Sequence, residues 1–135
     1  KLNKILVGPF GKTHPNRAIK YFSSLNSSSR FEVMENKISS SKYSRISKKF
    51  KFVLCPRGNG EDTHRLWETI YRGSYPILWK NRWSLSLSEY NLPIIFVDDF
   101  NKETLLQIFD KDWKGFDPKK IEAIWKNYWL GRLNN

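Results

Sequence analysis

Residues 50–73 read Phe-Lys-Phe-Val-Leu-Cys-Pro-Arg-Gly-Asn-Gly-Glu-Asp-Thr-His-Arg-Leu-Trp-Glu-Thr-Ile-Tyr-Arg-Gly. The stretch divides into strand, loop, helix and stop. Phe50 to Cys55 is a short, mostly apolar and aromatic run, the pattern of a buried strand. Pro56 ends it. Gly58 and Gly60 permit a tight turn and close approach of backbone to a ligand. Asp62 or Thr63 supplies a helix N-cap, and Leu66, Trp67, Ile70 and Tyr71 recur at helical spacing up to Gly73, a C-cap residue.

A helix that starts after a glycine loop presents unpaired backbone N–H groups and a positive dipole end to an anion. Arg57 flanks the loop, and His64 and Arg65 occupy the first turn. Arg65, Glu68 and Arg72 are spaced i, i+3, i+7 and so share a helix face. A cation there suits the phosphates of a nucleotide diphosphate, and a carboxylate one turn later suits ribose hydroxyls. Glu61 and Asp62 would repel a diphosphate set directly on them, so they must point away, cap the helix or grip something else. The alternative is an ordinary strand-loop-helix unit with a solvated charged face, since neither a P-loop nor a dinucleotide fingerprint is complete.

The run from Cys55 to Glu68, the following Arg-Gly-Ser-Tyr-Pro-Ile (residues 72–77) and the later Leu-Pro-Ile-Ile-Phe-Val-Asp-Asp-Phe (residues 92–100) resemble the donor-binding, C-terminal half of exostosin-like glycosyltransferases of GT-B fold. The matching anchors are Phe52, Pro56, Arg57, Gly58, Arg65, Glu68, Gly73 and Pro76, and the resemblance is strongest over about residues 48–100. It implies inverting transfer of a sugar from a nucleotide-diphosphate sugar to a hydroxyl of a glycan or protein acceptor, without a metal or other cofactor. The donor site it implies comprises Arg57, Gly58, Asn59, Gly60, His64, Arg65 and Glu68, with Arg17 as the arginine after the first strand. It also implies an N-terminal acceptor domain in the intact protein, with the catalytic base outside this chain.

The remaining chain continues the alternation. Lys4 to Val7 predicts a first strand broken by Gly8-Pro9-Phe10-Gly11, and Ala18 to Phe22 an amphipathic helix. Phe31 to Met34 alternates as a second strand; Tyr43 and Ile46 mark one face of a short helix. Tyr75 to Trp79 and Leu92 to Val97 are further strands, with a loop and short helix between them. Thr104 to Phe109 predicts a helix, and Pro118 opens a last one striped by Ile121, Ile124, Trp125, Tyr128 and Trp129. The expected fold is therefore a three-layer Rossmann-like α/β domain with a mainly parallel sheet, one domain over residues 1–135, as a fragment of a two-domain enzyme.

Composition bounds the partners. The aromatic content of 16% excludes a disordered chain, and a net charge of +11 attracts anions of any kind. From Asn36 to Lys51 the cations Lys37, Lys42, Arg45, Lys48, Lys49 and Lys51 occur with no acid between them. That stretch is either a solvated basic face or a phosphate-tracking patch, and it supports the alternative function of a non-catalytic polyanion- or nucleic-acid-binding domain. The lone Cys55 excludes a disulfide framework and a cysteine-based zinc site, and reads as a buried small apolar residue. Asp98-Asp99 lacks the Asp-x-Asp spacing of a metal site and reads as a strand end passing into a helix N-cap. No run is apolar enough to span a membrane.

Overall fold

The computed structural model describes residues 1–10, 24–56 and 64–121. Five strands, β1 (Leu2–Val7), β2 (Phe31–Val33), β3 (Phe50–Leu54), β4 (Tyr75–Trp79) and β5 (Ile95–Val97), form one sheet in the order β2-β1-β3-β4-β5. Every neighbouring pair is parallel. Ile5 stands opposite Phe52, Phe52 opposite Tyr75, and Ile77 opposite Ile95, so bulky side chains line up across the sheet.

A parallel sheet covered on both faces needs strands that are apolar on both faces, and that is what the residues supply. Ile5, Val7, Phe52, Leu54, Ile77, Ile95 and Val97 join one core cluster with Leu25, Phe31, Phe100, Leu105 and Ile108. Leu6, Val53, Cys55 and Leu78 join the other, with Leu66, Ile70 and Leu87. The helices segregate accordingly. The second face carries α1 (Ser40–Ser47), α2 (His64–Tyr71) and α3 (Arg82–Ser86), and the first carries α4 (Lys102–Leu106) with the 3-10 turn Gln107–Asp110. This is the three-layer Rossmann-like architecture, with each fully buried Leu or Ile contributing about 1.5–3 kcal/mol.

Helix ends follow local chemistry. Ser39 caps α1 by accepting from the Lys42 N–H at 3.2 Å. Asn81 and Ser84 form a reciprocal capping box at α3. After α2, Gly73 (φ +78°) closes a Schellman motif, with Gly73 N–H on the Ile70 carbonyl at 2.9 Å and Ser74 N–H on Thr69 at 3.1 Å.

Several boundaries differ from the sequence expectation. β5 begins at Ile95, not Leu92, because Pro93 has no N–H to give and the Ile94 N–H is taken by the Leu92 carbonyl at 2.8 Å. The cap of α4 is Asn101, whose side chain accepts from Thr104 N–H at 2.8 Å; Asp99 instead accepts from Asn101 N–H at 2.8 Å. Pro118 opens only a 3-10 turn, Pro118–Lys120, and Ile121 is extended (φ −95°, ψ 99°) rather than helical. The predicted helix over residues 18–22 and the aromatic stripe beyond Ile121 lie outside the described residues.

Candidate functional site

The strand order fixes where a ligand belongs. From β1 the chain steps to β2 on one side, and β3, β4 and β5 follow on the other. The connections therefore diverge between β1 and β3, and open parallel sheets bind ligands beyond the carboxyl ends of their strands at such a switch point. Gly8, Pro9 and Phe10 leave β1 there, and Cys55 and Pro56 leave β3 there. Gly8 has φ +81°, and its Cα lies so close to the Met34 carbonyl that a Cβ would collide with it. The loop after β1 is thus held tightly against the segment after β2.

Arg65, in the first turn of α2, is the centre of this crevice. Its Nη2 donates to the Pro9 carbonyl at 2.7 Å, a contact between residues 56 apart in sequence. Its guanidinium carbon lies 4.9 Å from the Phe10 ring centroid and 4.8 Å from that of Tyr43 on α1. Two aromatic faces and a carbonyl replace part of the water that a cation loses on burial. Among the described residues the replacement is incomplete: the buried Arg65 Nη1 and Tyr43 hydroxyl have no hydrogen-bond partner there. A buried donor left unpaired costs about 1–3 kcal/mol, a cost an incoming acceptor removes. Burial also pushes the Tyr43 phenol up to about 12, partly opposed by the positive charge of Arg65.

The rest of the α2 face is laid out around the same ring. Arg72 lies 5.9 Å from the Tyr43 centroid, donates to Ser47 Oγ at 3.3 Å and stands 3.6 Å from Glu68 Oε2. Glu68 is half exposed, and His64 is exposed at the start of the helix. Arg65 and Arg72 thus reach Tyr43 on α1 with Glu68 on the same helix face, while Leu66, Thr69 and Ile70 are buried. Thr69 donates to the Arg65 carbonyl at 2.6 Å, and the buried Cys55 thiol lies 3.8 Å from Thr69 Oγ1, in the core rather than in the crevice. Arg57, Gly58, Asn59, Gly60 and Arg17 lie outside the described residues.

Sequence reading missed the partners of Arg65. Phe10 stood only as part of a strand-breaking loop and Tyr43 only, with Ile46, as one face of a short helix. The available signal was an aromatic directly after the first strand and a tyrosine on the inner face of an otherwise basic helix. At the other predicted acid pair, Asp98 lies 3.3 Å from Lys80 Nζ and Asp99 holds its local turn. Among the described residues no group of three or more His, Cys, Asp and Glu side chains could hold a metal ion, and no helix is long and apolar enough to cross a membrane.

No known family model matches the chain, and no curated protein matches it either.

Proposed function

We propose that this chain is the nucleotide-sugar-binding domain of a glycosyltransferase, one half of a two-domain enzyme that it resembles in its exostosin-like motif. The observation that carries this reading is the half-buried Arg65 at the β1/β3 switch point, one turn before Glu68, whose buried Nη1 has no hydrogen-bond partner among the described residues. In the proposed reaction an acceptor hydroxyl attacks the anomeric carbon, and the bond from that carbon to the diphosphate oxygen breaks. Charge accumulates on the departing diphosphate, and fixed donors in a shielded crevice stabilise it. Arg57 and Arg65 supply positive charge and the backbone of Gly58 to Gly60 supplies N–H groups. His64 and Arg17 border the donor, and Glu68 accepts from a ribose or sugar hydroxyl. The acceptor's proton leaves to a base in the other domain, so the isolated chain binds nucleotide and turns over sugar poorly.

Calorimetric titration with UDP, GDP and ADP tests this. Saturable binding of one nucleotide is expected, weakened at least about tenfold in Arg57→Gln and in Glu68→Gln, since a hydrogen bond to a charged group contributes about 1.5–3 kcal/mol. Both variants should melt as the parent does. Absence of binding to every nucleotide, by a folded chain, would sink the proposal.

A further inference from the structure

A second concave site lies away from the switch-point crevice, on the solvent side of α1. A cavity of about 350 Å³ is lined by Lys42, Arg45, Ile46, Lys48 and Lys49. Of these described residues four are cations, and all four are exposed. None of the ion pairs found among the described residues involves them. Lys42 and Arg45 stand at i, i+3 on α1, a spacing at which like charges repel and weaken the helix, and Lys48 and Lys49 follow in the turn that ends it. Basic residues near a helix C-terminus are favoured by the dipole, which accounts for Arg45 and Lys48 but not for Lys42 in the first turn.

The neighbouring contacts add charge rather than remove it. Lys1 Nζ donates to the Lys48 and Arg72 carbonyls, which brings a fifth cation next to Lys48. Burial and the adjacent Lys48 charge both push the Lys1 amine below its ordinary range. Positive charge is thus concentrated along α1 and the turn after it, with no ion-pair partner among the described residues.

We propose that this cavity is a binding site for a compact polyanion carrying several phosphate groups on one small scaffold. The size argues for a small molecule, since the cavity lies near the lower end of the range for such sites, about 300–1,000 Å³. The lining argues against a nucleic-acid strand. Stacking platforms need an open aromatic face, and none of the described residues that line the cavity is aromatic. Tyr43, the one ring of α1, is turned inward and occupied by Arg65 and Arg72. Three lysines and one arginine act as mobile point charges around tetrahedral phosphates, with Ile46 as an apolar floor. The same chemistry is offered by a free polyphosphorylated metabolite and by a polyphosphorylated lipid headgroup.

The test uses the full chain and inositol hexakisphosphate as the soluble probe, followed by calorimetry at low and at physiological salt. Saturable one-to-one binding is expected. The triple variant Lys42→Gln/Arg45→Gln/Lys49→Gln should weaken it roughly tenfold or more, because each lost cation removes counterion-release energy. A control, Lys102→Gln/Lys111→Gln/Lys114→Gln, removes equal charge in and after α4, on the other face of the sheet, and should change it less than about twofold. The replaced side chains are exposed, and thermal melting confirms that each variant folds; the single variant Arg45→Gln serves if the triple does not. Vesicles containing a phosphoinositide bisphosphate, beside vesicles matched in charge with phosphatidylserine, separate the sources. Capture by the first alone assigns a lipid headgroup, and capture by neither, with probe binding retained, assigns a soluble ligand. Equal weakening in the two triple variants, or tighter binding of a single-stranded RNA than of the probe, would overturn the proposal. Either result is independent of nucleotide binding at the switch point.

Discussion

The two ends of the sheet treat positive charge and space in opposite ways. At the carboxyl end, Arg65 is drawn inward, tied to the Pro9 carbonyl and enclosed by Phe10 and Tyr43. Gly8 there has no room for a single added carbon. Toward the amino end, Lys42, Arg45, Lys48 and Lys49 stand in solvent around a cavity, and Gly73 has only ordinary contacts about its Cα. A cation that the fold encloses sets the position of two loops. A cation that the fold leaves in water contributes little to stability and is available to a ligand. The net charge of the chain conceals this division.

The sharpest way to break the comparison is a pair of glycine substitutions. Both residues have positive φ, +81° at Gly8 and +78° at Gly73, so each alanine carries a left-handed backbone cost of about 1–2 kcal/mol. Gly8→Ala adds a collision with the Met34 backbone carbonyl and should destabilise by about 3–5 kcal/mol in total. At Gly73 the nearest atoms are Lys1 Cε at 3.7 Å and the Phe116 carbonyl at 3.8 Å, so Gly73→Ala should lose only the backbone part. Urea unfolding of the two variants measures the difference. Equal losses would mean that the carboxyl end is no tighter than the other.

Arg65 is the next test. Arg65→Ala removes the hydrogen bond to Pro9 and two ring contacts, for an expected loss of about 2–4 kcal/mol. Arg65→Lys keeps the charge but not the planar group that lies against both rings, and should lose about half as much. If lysine restored full stability, Arg65 would act as a point charge and the enclosure would be incidental. Because the enclosed guanidinium is shielded, the Arg65→Ala loss should change little with added salt.

How much of this was legible in the sequence differs by element. β3, α2 and the Gly73 stop follow from an apolar run, a 3.6-residue period and a glycine, all local signals. The parallel three-layer fold follows from the alternation of such elements. The enclosure of Arg65 does not, because periodicity tells which face of α2 it occupies and nothing about a loop 56 residues earlier arriving on that face. That Pro118 opens a 3-10 turn has a local cause that composition hides. Asp117 accepts from the Lys119 N–H at 3.0 Å, and the Lys120 and Ile121 N–H groups take i−3 carbonyls, which closes a single turn. The apolar residue at 121, read as the start of a stripe, packs instead against the core as extended chain.

Tyr43 lies between the two ends and reports on the carboxyl one. Its phenol is pushed up to about 12 by burial, so the folded chain holds this proton more tightly than the unfolded one. Stability is therefore unaffected by this group below the ordinary tyrosine value near 10 and falls as pH rises from about 10 toward 12. Tyr43→Phe keeps the ring and removes the titration, so its unfolding free energy should decline less over that window than the parent's. Ultraviolet titration should find the parent's late-ionising phenolate absent from the variant. An unchanged alkaline decline would place the cause elsewhere and show that the Tyr43 hydroxyl is solvated.

The smallest effect is expected where charge is most conspicuous. Arg45→Gln and Lys49→Gln remove exposed cations that have no ion-pair partner among the described residues and repel their neighbours, so each should change stability by no more than about 0.5 kcal/mol, with the sign toward stabilisation at low salt. Added salt screens the same repulsion in the parent, so the two variants should converge on it as ionic strength rises. Thermal unfolding across a salt series measures this. A loss above about 1 kcal/mol from either substitution would mean that the α1 cations hold the fold together. The contrast with Arg65 would then be one of degree, and the lysines could not be read as charge left in solvent for a ligand.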